Sequence, residues 1–230
     1  MTARTMQFLI KPIATVSLLA LTLGTAQAGI TIDHFADNQL VRDPPDLSET
    51  SSSTLSGGNF IGASRDMTVD RNGADGSVYA ASNSVNPEIL VIGNSGSANG
   101  IVDLQWNAIL DLDLTDGGAK GIFLAFNDAI DKELTISFEA FDGALSAVGS
   151  KTFANGSQGF DFFIPFDSFT NQTALASVNT LSARFTSIAA NWDAGISFIE
   201  TRDTSSVPVP GVLSLMAIGL TGLGFSRRRA

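Results

Sequence analysis

The chain has no cysteine and a single histidine, His34. The first absence excludes a disulfide scaffold and any thiolate metal site. The second excludes a multi-histidine zinc centre and leaves little imidazole for acid–base work. Tyrosine and tryptophan are almost as scarce: Tyr79, Trp106 and Trp192 stand against 16 phenylalanines in 230 residues. Positive charge is scarce too, with 13 Lys and Arg against 23 Asp and Glu. What is present is 44% apolar residues, enough to build a core, and 22 glycines without an every-third-residue period, so the chain is neither wholly disordered nor collagen-like.

The basic residues are unevenly placed. Five of them, Arg4, Lys11, Arg227, Arg228 and Arg229, lie in the two ends. The body between keeps 8 basic against 23 acidic groups, a net charge of −15. Such a surface repels nucleic acid, whose phosphates need Lys and Arg. It favours solubility and weak attraction of divalent cations.

Both ends read as addresses. Residues 1–28 carry a basic start, the apolar run Ile13 to Leu23, and small residues at Ala26 and Ala28. These are the three parts of a secretory signal in order, and they predict export with cleavage by signal peptidase after Ala28. A buried N-terminal helix is the alternative. At the other end, Val207, Pro208, Val209 and Pro210 precede the uncharged run Gly211 to Phe225, then Arg227, Arg228 and Arg229. Fifteen residues make a helix of roughly 22 Å, short against a hydrocarbon core of about 30 Å. The arginines would stay cytoplasmic and leave the body outside.

Proline motif, short apolar helix and terminal arginines together resemble the PEP-CTERM sorting signal of Gram-negative bacteria, in a Val-Pro-x-Pro form with Val209 at the variable position. The resemblance covers residues 207–230. It implies an inner-membrane-anchored intermediate, processing by an exosortase-type enzyme, and a final place in the envelope or outside the cell, in association with extracellular polysaccharide. A plain membrane anchor is the alternative.

The body alternates with period two. Met67 and Val69, then Val102, Leu104 and Trp106, then Ile122, Leu124 and Phe126 each share a parity. So do Leu134, Ile136 and Phe138; Phe160, Phe162, Ile164 and Phe166; Leu181, Ala183 and Phe185; and Ile196 with Phe198. Residues of one parity face one side of a strand. Asn72-Gly73, Asp116-Gly117-Gly118, Asp142-Gly143 and Asn155-Gly156 fall between these runs as turns. The pattern predicts an all-β, antiparallel β-sandwich of jelly-roll type over residues 29–200, a polar linker over 201–206, and the sorting signal over 207–230. The Ser-rich stretch from Asp43 to Gly58 reads as a long exposed loop.

Two stretches of the body are similar to secreted bacterial jelly-roll proteins that carry this C-terminal signal and to carbohydrate-binding modules. One is Ile61 to Val69, followed by Val102 to Trp106; the other is Ser177 to Leu181 with Trp192 to Ile199. The resemblance implies the fold, an acid before the last strand at Asp193, and a structural calcium shared by Asp33 and Asp193. A second calcium candidate comes from the residues themselves. Asp111 and Asp113 have strand spacing, and two same-face carboxylates repel unless solvated or bridged by a cation. Asp70 to Gly76 departs from a calcium-binding EF-hand loop at two positions and reads as a hairpin turn.

Trp106, Trp192 and Tyr79 are the candidates for stacking on a sugar, and burial in the core is the alternative for each. No Gly-x-Ser-x-Gly elbow occurs in the body, and Asp33 and His34, adjacent on a strand, point to opposite faces. The expected function is therefore non-enzymatic: an exported, polysaccharide-associated β-sandwich. A secreted carbohydrate-binding module with a specific sugar ligand and a secreted hydrolase are the alternatives.

Overall fold

The computed structural model describes residues 29–44, 50–72, 76–83 and 88–203. The signal segment with Ala26 and Ala28 and the sorting motif with Val207 to Pro210 and Arg227 to Arg229 lie outside the described residues. Among the described residues, no helix is long and apolar enough to cross a membrane.

The described residues form thirteen strands: β1 (Thr31–Asp33), β2 (Gln39–Asp43), β3 (Ser51–Ser56), β4 (Ser64–Asp70), β5 (Val78–Ser82), β6 (Leu90–Asn94), β7 (Ile101–Asn107), β8 (Gly121–Phe126), β9 (Leu134–Phe141), β10 (Ser146–Phe153), β11 (Phe163–Pro165), β12 (Thr180–Thr186) and β13 (Ala194–Arg202). They pair antiparallel in two sheets. One has the order β11-β8-β13-β6-β5-β2, with β1 also on β13; the other has the order β10-β9-β12-β7-β4-β3. The architecture is the expected all-β sandwich.

Alternation builds the core. In the six-stranded sheet, Met67, Leu104, Ala183 and Phe138 lie side by side across β4, β7, β12 and β9, all buried. Ile122 and Leu124 of β8, Ile92 of β6 and Val78 of β5 face them from the other sheet. The turns behave as expected where they are described. Asp142 caps the β9–β10 hairpin by accepting from the backbone of Ala144 and Leu145 at 2.7 Å each, and Gly143 supplies a φ of 98°.

Four expectations need correction. The stretch from Asp43 to Gly58 is not one loop: it holds β3, an edge strand whose Ser-Ser-Ser-Thr sequence hides its partner β4. Phe160 to Phe166 is not one strand, because 3₁₀ turns at Gly159–Asp161 and Phe166–Ser168 leave only the three residues of β11. Phe198 does not share a face with Ile196. A register shift between them turns Phe198 outward and buries Ile199, as a bulge does by inserting one residue. Finally, β13 runs two residues into the expected linker, and Thr201 is fully buried.

Candidate functional site

Tyr79 sits at an outward position of β5, directly opposite Gly93 of β6. A Cβ placed on Gly93 would lie 2.3 Å from Tyr79 Cε1, 2.4 Å from Cζ and 2.6 Å from the hydroxyl. The ring therefore lies over Gly93 and fills the space a side chain would take, as aromatic residues do beside a cross-strand glycine. On the next strand Gly195, paired with Val91, adds no side chain either. These glycines keep the sheet surface low between Tyr79 and the 127–131 loop that follows β8. The result is an open groove of about 620 Å³.

Hydrogen bonds fix the rim. Asp193 accepts from the backbone N–H of Asn94 at 2.9 Å. Asn94 donates its side-chain amide to the carbonyl of Trp192 at 2.5 Å and accepts from Gly100 N–H at 2.9 Å. Trp192 Nε1 donates to the carbonyl of Gly100 at 3.2 Å, so the indole braces the rim from inside. Asn127 donates its N–H to the carbonyl of Gly195 at 2.9 Å and accepts from Ser197 Oγ at 2.5 Å. Asp128 and Asp131 are exposed on the 127–131 loop. A second cavity of about 620 Å³ shares Phe126 to Ala129 with the groove and extends it toward Gln158 and Asp161. Its shared wall is stiffened by Phe126 stacked on Phe162, centroids 3.8 Å apart.

The outer face of the six-stranded sheet is a different surface. Pairing lines up Thr54, Asp66, Gln105, Ser182 and Glu139 in one row, and Ser52, Thr68, Asp103, Arg184 and Ser137 in the next. Arg184 donates to both carboxylate oxygens of Asp103, at 2.7 and 3.0 Å. Those hydrogen bonds and the charge behind them hold the guanidinium's pKa above its usual value. The surface is a shallow polar depression of about 370 Å³ with no aromatic ring among the described residues that line it except Phe138, which faces the core.

Of the three stacking candidates, only Tyr79 reaches a groove. Trp106 is 0% exposed and donates Nε1 to Asp33 at 2.8 Å; Trp192 is 1% exposed. Neither can stack on a ligand, because both rings are spent inside. The metal candidates do not assemble. Asp111 and Asp113 follow the end of β7, in a turn and not on a strand. Ala108 and Asp111 have φ of 54° and 46°, which takes the chain out of extended conformation. Asp111 accepts from Ser177 Oγ at 3.0 Å, and Asp113 caps Thr115 through its N–H and hydroxyl. Asp33 is inside the sandwich, tied to Arg65, whereas Asp193 is on the groove rim. Among the described residues, no three acidic or histidine side chains converge as a metal site. His34 is exposed, its ring 5.9 Å from that of Phe198, while Asp33 is buried, so the two do point apart.

No protein-family model matches the chain, and no curated protein does. Among solved structures it is similar to the family 11 carbohydrate-binding module of the cellulosomal cellulase Lic26A-Cel5E of Clostridium thermocellum, at 10% identity and a TM-score of 0.36, over 73% of this chain and 96% of that one. It is also similar to PfGH50B, at 12% identity and a TM-score of 0.37, over 74% of this chain and 24% of that one. A third is the CBM22-1–GH10 portion of xylanase 10B from Clostridium thermocellum, at 11% identity and a TM-score of 0.29, over 79% of this chain and 29% of that one. Likeness this distant identifies neither ligand nor activity.

Proposed function

We propose that the chain is a non-enzymatic carbohydrate-binding β-sandwich that holds an extracellular polysaccharide in the Tyr79 groove. The observation that carries this reading is the placement of Tyr79 over Gly93 on the floor of an open groove of about 620 Å³. A pyranose ring has an apolar C–H face and a belt of hydroxyls. The Tyr79 ring suits the first. The exposed amide of Asn127 and the carboxylates of Asp128, Asp131 and Asp193 suit the second.

The expected export fits the same geometry. Ile30 donates its N–H to Thr201 Oγ1 at 2.9 Å, and Thr201 donates its N–H to the carbonyl of Ile30 at 2.8 Å. Both ends of the described body therefore leave the sandwich side by side. The groove lies at the start of the nine-residue β13 and these exits near its end, roughly 25 Å apart along the strand. A body released by signal peptidase at one end and sorted by an exosortase-type enzyme at the other would present its groove away from the tether. The envelope or extracellular matrix is the place this arrangement serves.

The test is affinity electrophoresis and calorimetry of the purified chain against the host's polysaccharide and a panel of neutral oligosaccharides. Stacking contributes about 0.5–1.5 kcal/mol beyond area burial, and 1.4 kcal/mol is about tenfold in affinity. Tyr79→Ala should therefore weaken binding about tenfold or more, while Tyr79→Phe stays within a few-fold. Full binding by Tyr79→Ala would remove the groove as the site.

A further inference from the structure

We infer that an apolar depression at the exit end of the sandwich is the seat of the chain's own segment Val207 to Pro210; this goes beyond the glycan reading and uses no part of the Tyr79 groove. The depression measures about 420 Å³. It is lined by Ile61, Gly62 and Ala63 of the β3–β4 loop and by Ile109, Leu110 and Leu112 of the loop after β7, and no charged side chain is among the described residues that line it. Its rim is braced and strained. Leu110 is 91% exposed, and Ala108 and Asp111, which flank Ile109 and Leu110, hold φ of 54° and 46°. Residues other than glycine carry strain in that region. Ile109 and Leu112 donate their N–H groups to the carbonyls of Asn179 and Val178 at 3.0 and 3.1 Å, and Ala63 donates its N–H to the carbonyl of Asn107 at 2.8 Å. A strained loop that holds a leucine in water beside an apolar hollow suits a surface that is covered in use.

The tail leaves the body close by. Thr201 is bonded to Ile30, and two residues on, the carbonyl of Ile32 accepts from Ile61 N–H at 2.9 Å. At about 5 Å per strand spacing and 3.3 Å per residue, the path from Asp203 to Ile61 is at most roughly 25 Å. Residues 204–210, extended, span about that distance, so the segment reaches the hollow. Val207, Pro208, Val209 and Pro210 are apolar and uncharged. Proline fixes its own φ and biases the residue before it to extended backbone, so little freedom is lost when such a segment enters an apolar groove. Other occupants fit less well. A stable contact with a second copy takes about 20–30 residues a side, far more than this hollow offers, whereas a tethered segment meets it at an effective concentration of about millimolar. A bilayer is too flat to fill a hollow, and the exposed Asp111 and Asp116 beside it oppose an anionic one.

The seat is small and its occupation shifts melting little, so the readout is proximity. The chain has no cysteine, and introduced pairs therefore report contact directly. Three full-length variants carry Val209→Cys with Leu110→Cys, with Lys120→Cys or with Ile188→Cys. Lys120 is exposed and its N–H bonds the carbonyl of Arg202, which places it beside the exit and off the hollow. Ile188 is 86% exposed on the loop that leads into β13, at the far end. Under mild oxidation at low protein concentration, the Leu110 pair should close within one chain about threefold faster than the Lys120 pair, and the Ile188 pair slowest. Ala63→Glu, a charge at an exposed position of the hollow, should remove the Leu110 preference, and Ala63→Ser should keep it. A tail that sweeps freely would close the Lys120 pair first; that order, or a preference that survives Ala63→Glu, overturns the inference. Cross-links between chains would overturn it in favour of a second copy. Shielding of Leu110→Cys from a soluble thiol reagent by phosphatidylcholine vesicles, while its pair with Val209→Cys stays open, would overturn it in favour of lipid.

Discussion

Arg65 and Asp33 form an ion pair inside the sandwich, Nη1 to Oδ2 at 2.7 Å, with the side chains 0% and 1% exposed. The pair joins the sheets, since Asp33 ends β1 of one and Arg65 lies near the start of β4 of the other. Every remaining group is engaged. Asp33 also accepts from Trp106 Nε1 at 2.8 Å and from Phe35 N–H at 2.7 Å. Arg65 Nε donates to Gln39 Oε1 at 2.8 Å and Nη2 to Ser82 Oγ at 2.7 Å, and its plane faces the rings of Phe35 and Phe60. Desolvation of the two charges offsets much of their attraction, so the pair adds little net stability as a unit even though losing one partner is costly.

Breaking one side should be costly. Arg65→Ala leaves a buried carboxylate without its counter-charge, and a loss of about 3–5 kcal/mol is expected. Asp33→Asn combined with Arg65→Met should cost less than the sum of the two single changes, because each single variant strands the other partner. Urea unfolding of the four proteins measures this coupling; additivity would show that the pair is not a unit.

Two carboxylates should give opposite pH dependence. Burial pushes the Asp33 carboxyl above its ordinary 3.8, against the opposing pull of Arg65, Trp106 and Phe35. Its folded form holds the proton more tightly, so its contribution is fullest below 3.8 and is lost as pH rises through the folded value. Backbone N–H groups of Leu145 and Ala144 hold the Asp142 carboxyl below 3.8. Its contribution is present above 3.8 and is lost as pH falls through the folded value. The stability difference between the native chain and Asp33→Asn should therefore fall with rising pH, and the difference from Asp142→Asn should shrink in acid. Urea midpoints across an acid-to-neutral series check both slopes.

The sandwich was legible wherever a strand alternates cleanly. Val102, Leu104 and Trp106, or Leu181, Ala183 and Phe185, show their buried face directly. β3 was hidden because an edge strand of Ser and Thr has almost no apolar parity to read. β10 was hidden because Gly149 faces inward against Phe169, and a glycine shows no face in sequence. At the site, Tyr79 could be named but not separated from Trp106 and Trp192. The groove depends on Gly93 and Gly195 lying beside it and on a loop 48 residues further along, from Asn127. Those are long-range pairings that no local pattern encodes. The polar rows around Arg184 read only as a solvated face, which their alternation does predict.

The body should end after Asp203, not at residue 200. Thr201 is buried and bonded to Ile30, and Lys120 N–H donates to the carbonyl of Arg202 at 2.9 Å. The Arg202 guanidinium lies 4.0 Å from the centroid of the Phe123 ring and pairs with Glu200. A chain stopped after Asp203 is expected to melt as the full chain does. One stopped after Glu200 loses about three hydrogen bonds, at roughly 1 kcal/mol each, and should melt several degrees lower. Equal melting of the two would place the boundary where the change in composition alone suggested it.

The floor of the groove gives the sharpest test, through a residue that never touches ligand. In Gly93→Ala the new Cβ would fall 2.3 Å from Tyr79 Cε1, far inside contact distance, so the ring must lift. Tyr79 is only part-buried and can rotate outward, so the stability loss should be modest, roughly 1 kcal/mol. Glycan affinity, however, should drop as far as it does in Tyr79→Ala, because the stacking surface no longer lies in the trough. Gly195→Ala supplies the contrast. Its Cβ would meet only Asn127 Cβ at 3.8 Å and Ile89 Cγ2 at 3.9 Å, which is ordinary contact. That variant should hold or slightly raise the melting temperature, since alanine in a strand gives up less backbone freedom than glycine, and should keep binding within a few-fold. Calorimetry with one neutral oligosaccharide on both variants decides the matter. Loss of binding in Gly195→Ala with retention in Gly93→Ala would mean that the ligand lies toward β13 and that Tyr79 is not its platform.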